Sequence, residues 1–366
     1  MDLKTWLKPS LNWLAVFIPI AFAMAFIPPL HNPTVLFVVS CLSMVVVSAW
    51  IGNATEKLAV VVGPTWGGML NAAFGNLPEL IFGLIALTKG LGPLVKAAWT
   101  GAILGNLLLV LGSAMLFGGL RNGRQSFPVG RANDASTSLL LAVFALLMPA
   151  VYIKAFPEPS DSIRLGVDDI SIGMGILLLI AYAASIVHTF LEARTSGATG
   201  AVEAAEIRHH DERPNVKLAS LTLAGASVLI ALLSDFVSDS VDSVKEQFGL
   251  SDLFLGVIVI AAIGNVAAQI SAISMALKNK MDLSFEIGMS AGTQVALLVV
   301  PFLVLMSYVF GKPVDLEFTG AEIISLGAAA MITTQIAQDG SSNWLNGLQM
   351  LVLYAMVAVL FFFVPG

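Results

Sequence analysis

Charge is scarce in this chain. Only 11% of its 366 residues are Asp, Glu, Lys or Arg, where a soluble domain carries about 25%. That excludes an ordinary water-soluble globule. Cysteine is scarcer still. Cys41 is the single one, so an intramolecular disulfide and a cysteine-rich metal site are both excluded. Its apolar neighbours mark it as a small buried hydrophobe. The chain has no basic patch and a net charge of −6, which leaves no footprint for nucleic acid. It lacks a phosphate-binding loop, which argues against ATP-driven pumping, and it carries no enzyme signature and no cofactor motif.

What the chain has instead is apolar length. Hydrophobic residues make up 57% of it, and the mean hydropathy is +0.88. Apolar runs of about 20 residues, each able to cross a bilayer, recur from end to end. Eleven spans are expected, near 11–30, 33–55, 64–88, 94–119, 133–153, 168–191, 216–238, 250–277, 283–310, 318–337 and 344–364. Pro28-Pro29, Gly63-Pro64, Gly92-Pro93 and Gly311 with Pro313 punctuate them. The first run follows Lys4 and Lys8 as a signal peptide's apolar core would, but it is long and has no clear cleavage site, so it reads as a retained helix. With the N-terminus in the cytoplasm, twelve of the 18 Lys and Arg fall at cytoplasmic ends and six on the other side. That asymmetry favours an N-in, C-out topology. Trp6, Trp13, Trp50 and Trp344 stand near span ends, as interfacial aromatics do. The expected class is an all-α polytopic membrane protein of a prokaryotic inner or plasma membrane, with lipid as its surroundings and a homo-oligomer left open.

Residues 192–215 form the one long polar stretch, with Glu203, Glu206, Asp211 and Glu212 beside Arg208, His209, His210 and Arg213. The plain reading is a solvated cytosolic linker helix; the sharper one is a cation-sensing helix. Adjacent histidines face different ways on a helix, so His209 and His210 make a poor metal site.

Two Gly-Asn pairs stand in corresponding places, Gly75-Asn76 and Gly264-Asn265, 264 − 75 = 189 residues apart. A shift of 189 overlays Ala72–Leu109 on Ala261–Leu298 without gaps, with ten identities in 38 positions, Lys89 on Lys278 among them. The chain then divides into an extra helix (1–32), a first five-helix repeat (33–191), the linker (192–215) and a second repeat (216–366). Five crossings per unit and a linker that does not cross force the second unit to insert upside down. This is the inverted 5+5 repeat of many secondary transporters, whose sites lie at the midplane where helices are broken.

The first pair reads Gly75-Asn76-Leu77-Pro78-Glu79. An acid in hydrocarbon is expensive and by default functional. Glycine permits a break or a close approach. Pro78 removes a backbone donor and frees a carbonyl nearby, which a membrane tolerates only at a cavity. A carboxylate, the Asn76 amide oxygen and free carbonyls form a hard oxygen set suited to Ca²⁺ or Na⁺. Desolvation disfavours a charged carboxyl, so Glu79 can hold a cation or a proton but not both, the minimal basis of antiport.

Three stretches carry a resemblance: residues 52–119, with GNLPELIFGLIALTKG and GAILGNLLLVLGSAM; residues 254–301, with IGNVAAQISAISMALKNKMDLSFEIGMSAGTQVALLVVP; and DGSSNWLNGLQMLVLYAM near the C-terminus. They resemble the Ca²⁺/H⁺ antiporter (CAX) family of the cation/Ca²⁺ exchanger superfamily, from about residue 33 onward. The resemblance implies eleven helices, a cytosolic acidic helix between halves, and export of Ca²⁺ against entering H⁺. It also implies one glutamate from each half at the central site. Glu79 matches the first, and Gly75, Asn76, Asn106, Gly264, Asn265 and Gln294 match family positions. Ala268 stands where the second glutamate is expected, Gln269 where a histidine usually follows, and Asn346 where the C-terminal motif commonly has a glutamate.

One carboxylate leaves a bound Ca²⁺ with net positive charge, and an uncompensated buried charge costs several kcal/mol. Each 1.4 kcal/mol is about tenfold in affinity. The chain is thus read as an engineered or naturally divergent antiporter with a weakened site, as one using another carboxylate, as a monovalent-cation (Na⁺-type) exchanger, or as a transport-impaired regulatory homologue. Among other acids, Asp235 and Asp239, with Asp242, share a face of span seven and could form a cation entrance; Glu56 at the end of span two could form another. Glu286 and Glu322 read as interfacial.

Overall fold

The computed structural model describes residues 11–156, 161–196 and 215–364. Nearly all of this is helix. An N-terminal helix, α1, spans Leu11–Phe26. It is followed by α2 (Pro33–Val62), α3 (Pro64–Phe74) and α4 (Leu77–Thr88). Next come α5 (Gly92–Asn122), α6 (Val129–Lys154) and α7 (Asp161–Ser196). The second part holds α8 (Val216–Phe248), α9 (Asp252–Gly264), α10 (Val266–Leu277), α11 (Met281–Val309), α12 (Gly320–Asp339) and α13 (Trp344–Phe363). The loops after α5 and α12 meet in a two-stranded antiparallel ladder, β1 (Gln125–Ser126) with β2 (Ser341–Ser342), paired Gln125 to Ser342 and Ser126 to Ser341.

Eight of these helices are long and apolar enough to cross a membrane, and α9 with α10 makes a ninth span bent by 58°. The chain is a multi-pass membrane protein. Its outer helices carry exposed apolar rows: α7 exposes Leu177, Ile180 and Val187, and α8 exposes Leu221 and Val228. No aqueous surface would leave such rows uncovered. The innermost helices are α5 and α11, where Leu104, Leu107, Leu108, Val299 and Leu303 are wholly buried. α5 packs along α9 because Gly101 has no side chain: a Cβ there would clash with the Val257 backbone. Small residues at such crossings let helices approach closely.

Several helices outrun the expected spans. α2 continues to Val62, α7 starts at Asp161 and reaches Ser196, and α8 runs to Phe248. Polar residues at these ends extend the helix into the interface, where apolar composition no longer marks it. Most of the expected linker, residues 197–214, with its acidic residues and histidines, lies outside the described residues.

Two helix pairs start in the same register. α4 begins at Leu77 and α10 at Val266, a difference of 189; α5 begins at Gly92 and α11 at Met281, again 189. α5 and α11 each contain a π-helical turn, at Gly105–Val110 and Val295–Val299. α9 carries another, at Leu255–Ile260, and such turns are frequent at functional sites.

Candidate functional site: the Glu79 cavity

The chain breaks between α3 and α4 because Pro78 cannot donate an amide hydrogen to the carbonyl four residues earlier. Asn76 occupies the cap position of α4, yet its side chain makes no capping bond. An Asn there normally caps. Its amide instead donates to Gln294 Oε1 at 2.9 Å, and Gln294 Nε2 donates to Ser290 Oγ at 2.8 Å. The second break repeats the device. Asn265 precedes α10, makes no capping bond, and accepts at Oδ1 from Asn106 Nδ2 at 2.9 Å. Each motif thus reaches across to the neighbouring half's π-turn helix: Asn76 to α11, Asn265 to α5. Asn76, Asn106 and Asn265 are all buried.

Glu79 lies in the first turn of α4. Its carboxylate rests against Gly264 at the other break, where a Cβ would fall 2.5 Å from Oε1. Beside it is a cavity of about 20 Å³, lined in part by Met44, Ser48, Glu79, Trp99, Gly264 and Val295. By that measure a water needs roughly 10–15 Å³, so the space fits one small occupant. Glu79 Oε2, Asn106 Oδ1 and Asn265 Nδ2 are buried with no hydrogen-bond partner among the described residues. Most buried polar atoms in folded proteins are paired, and Ser40, Thr55, Ser238 and Thr293 are further exceptions here.

The structure therefore gathers Glu79, Asn76, Gly264, Asn265, Asn106 and Gln294 around the two breaks. Gly75 closes the end of α3, its amide donating to Asn71 O at 2.7 Å. Ala268 and Gln269 lie in the first turns of α10, and neither lines the cavity. Among the described residues, no three His, Cys, Asp or Glu side chains converge.

The expected entrance acids lie elsewhere. Glu56 sits within α2 rather than at its end and accepts from Ser271 Oγ on α10 at 2.9 Å. Asp235 and Asp239 both bind Lys89, which follows α4; the Asp235 contact is 2.7 Å. Glu322, expected at an interface, is buried instead. It forms a capping box with Thr319 and accepts from Thr100 Oγ1 on α5 at 2.9 Å. The Thr-x-x-Glu spacing signals that box; only packing supplies Thr100. Ser48 and Trp99 also escaped the sequence reading, although Trp99 stands seven residues before Asn106 and so shares its helix face.

A family model described as sodium/calcium exchanger protein matches residues 32–191 and 218–363. The chain belongs to the sodium/calcium exchanger family. Among relatives of this exchanger, the Ca²⁺/H⁺ antiporter of Synechocystis sp. is 37% identical over 96% of each chain. The Ca²⁺/H⁺ antiporter ChaA of Bacillus subtilis is 38% identical over 91% of this chain and 93% of its own. The native YfkE structure overlays the exchanger with a TM-score of 0.81 at 33% identity, covering 97% of this chain and all of the other. The H⁺/Ca²⁺ exchanger CAX shares the fold, with a TM-score of 0.71 at 14% identity over 96% of this chain and 91% of its own. The sequence resemblance to Ca²⁺/H⁺ antiporters is borne out.

Proposed function

We propose that this chain exchanges cytosolic Ca²⁺ for H⁺ across a prokaryotic inner or plasma membrane, through a midplane site centred on Glu79. The observation that carries the reading is the junction of the two breaks: the one carboxylate lining the cavity lies against Gly264 of the opposite motif. The names of the relatives point to the same ions.

The chemistry follows from charge balance in a dry site. Glu79 can neutralise a cation or bind a proton, and hydrocarbon penalises leaving it charged alone. Ser48 Oγ and the backbone oxygens at the breaks are hard, neutral ligands of the kind Ca²⁺ prefers. The crossed pairs Asn76–Gln294 and Asn265–Asn106 tie each break to the facing helix.

We read the topology as eleven crossings with the N-terminus cytoplasmic and an inverted five-plus-five repeat. The 189-residue register supports it. So do contacts that join loops assigned to one side. Lys312, after α11, donates to Thr88 O at the end of α4 at 2.7 Å, and Lys96 pairs with Asp315 at 3.0 Å, all outside. Gln125 donates to Asn279 Oδ1 at 2.9 Å, both inside.

The test is flux into reconstituted vesicles under an imposed pH gradient, with Ca²⁺, Na⁺ and Mn²⁺ compared. Gradient-driven Ca²⁺ movement that Glu79→Gln abolishes is the expected result. No Ca²⁺ movement, or full exchange in Glu79→Gln, rejects the reading. A second reading, monovalent-cation exchange, rests on Ala268: one carboxylate balances one positive charge. Na⁺ flux exceeding Ca²⁺ flux would select it.

A further inference from the structure

The end of the molecule that holds the β1–β2 ladder carries cations without ion pairs. Asn122, at the end of α5, donates to Ala276 O at 2.9 Å, and Gln125 of β1 donates to the same oxygen at 3.0 Å. These bonds bring the end of α5 to the end of α10. Arg124 donates to Ser341 Oγ of β2 from Nε at 3.0 Å and from Nη2 at 2.8 Å. A neutral hydroxyl fixes that guanidinium and leaves its charge whole. Among the described residues, Arg121, Arg124, Lys278 and Lys280 are all exposed and make no ion pair. Glu286 pairs with Arg131 at 3.9 Å instead. Lys89, which overlays Lys278 in the 189-residue shift, is by contrast held by two aspartates.

Next to Arg121 and Arg124 runs an apolar seam between α5 and α13. The two helices pack in opposite directions. A Cβ on Gly112 would lie 3.0 Å from Met350 Cβ, one on Gly119 would clash with the Trp344 backbone, and one on Gly347 with that of Leu116. Leu120 and Leu348 each follow a contact glycine, Gly119 and Gly347, by one residue. On antiparallel helices that equal step turns both side chains to the same side of the seam. Both are exposed, Leu120 to 64%, as are Phe117, one turn before it, and Trp344 at 46%. We propose that an anionic phospholipid occupies this seam, with its phosphate on Arg121 and Arg124 and an acyl chain along Phe117, Leu120 and Leu348. The guanidinium fork matches a phosphate, and an indole at the start of a span belongs at headgroup depth. A zwitterionic headgroup carries its own cation and gains less from the arginines than an anionic one does. A second copy of the chain, seated here about a two-fold axis, would set the same cations against each other. The proposal stands on this seam and does not depend on Glu79.

The test follows the fluorescence of Trp344 in full-length protein in lipid nanodiscs, taken as the difference between wild type and Trp344→Phe. Brominated phosphatidylglycerol should quench Trp344 with about tenfold tighter association than brominated phosphatidylcholine. The double variant Arg121→Gln with Arg124→Gln should lose that preference and keep its helical circular dichroism. Glu79→Gln should keep the preference, so a failure of the exchange site and a failure of this proposal are read separately. Native mass spectrometry needs no tryptophan variant: wild type should retain phosphatidylglycerol that the double variant releases. Equal quenching by the two lipids overturns the proposal, as does a preference that survives in the double variant. So does a Trp344 quenched by neither lipid while Leu348→Cys cross-links to a dimer, which would give the seam to a second copy.

Discussion

A methyl group built on Gly264 would stand 2.5 Å from Glu79 Oε1. The two residues are 264 − 79 = 185 apart in the chain and belong to different breaks. Glycine is required here by a carboxylate, not by backbone conformation. Gly264→Ala should displace Glu79 from its seat while leaving both helices formed. Overpacking of this kind costs about 1–3 kcal/mol, so exchange should fall roughly 5- to 150-fold at about 1.4 kcal/mol per decade. Vesicle flux beside a thermal melt checks it; wild-type flux would show that Glu79 does not work from this position.

Asn76 gives up a helix cap to bond Gln294, and Asn265 does the same to bond Asn106. Those bonds couple the halves. Asn76→Ala and Gln294→Ala should therefore be non-additive in Ca²⁺ exchange, with a coupling of about 0.5–3 kcal/mol. Additive effects would reduce the pair to coincidental neighbours.

Ala268 is the expected place of a second carboxylate, but it does not line the cavity. Ala268→Glu should raise Ca²⁺ affinity at least tenfold if added charge can reach the ion through its longer side chain. Equilibrium Ca²⁺ binding decides it. An unchanged affinity would mean that the missing acid is not what sets the strength of this site.

Lys89 holds the end of α4 against α8 through Asp235 and Asp239. Burial works against its charge, but the hydrogen bonds and charges of the two aspartates outweigh that and push the ammonium above its ordinary range. A raised folded value stabilises the protein below the unfolded lysine value of about 10.4 and ceases to do so as pH rises through the folded one. Lys89→Met should thus lower the melting temperature slightly at neutral pH. The aspartates are 46% and 63% exposed, so the effect should be about 0–1 kcal/mol. It should shrink in high salt and fade at strongly alkaline pH. A deficit that stays constant across that range would point to packing instead.

Much of the architecture was legible before any coordinates. Apolar runs located the helices, and the Gly-Asn pairs located both breaks. Helix ends such as those of α2 and α8 were not, because polar residues continue a helix into the interface without any change of apolar period. Glu322 was misplaced at an interface because a capping box looks the same in sequence whether or not Thr100 covers it. Trp99 is one more aromatic in a chain that is 57% hydrophobic, and nothing in the sequence marks which indole nitrogen lacks a partner.

By itself the sequence determined that this protein lives in hydrocarbon, that its helices break at residues 75–76 and 264–265, and that Glu79 is the acid nearest the first break. Those follow from local chemistry: transfer of apolar side chains, the Gly-Asn pair at each break with the proline's missing donor at the first one only, and the cost of a buried charge. Only the tertiary structure decided that the breaks face each other, that Asn76 spans 218 residues to Gln294 and Asn106 spans 159 to Asn265. It alone placed Trp99 and Ser48 beside the carboxylate. Those partners are chosen by how helices pack across the two halves, and pairings at such separation leave no period or spacing in the chain to read.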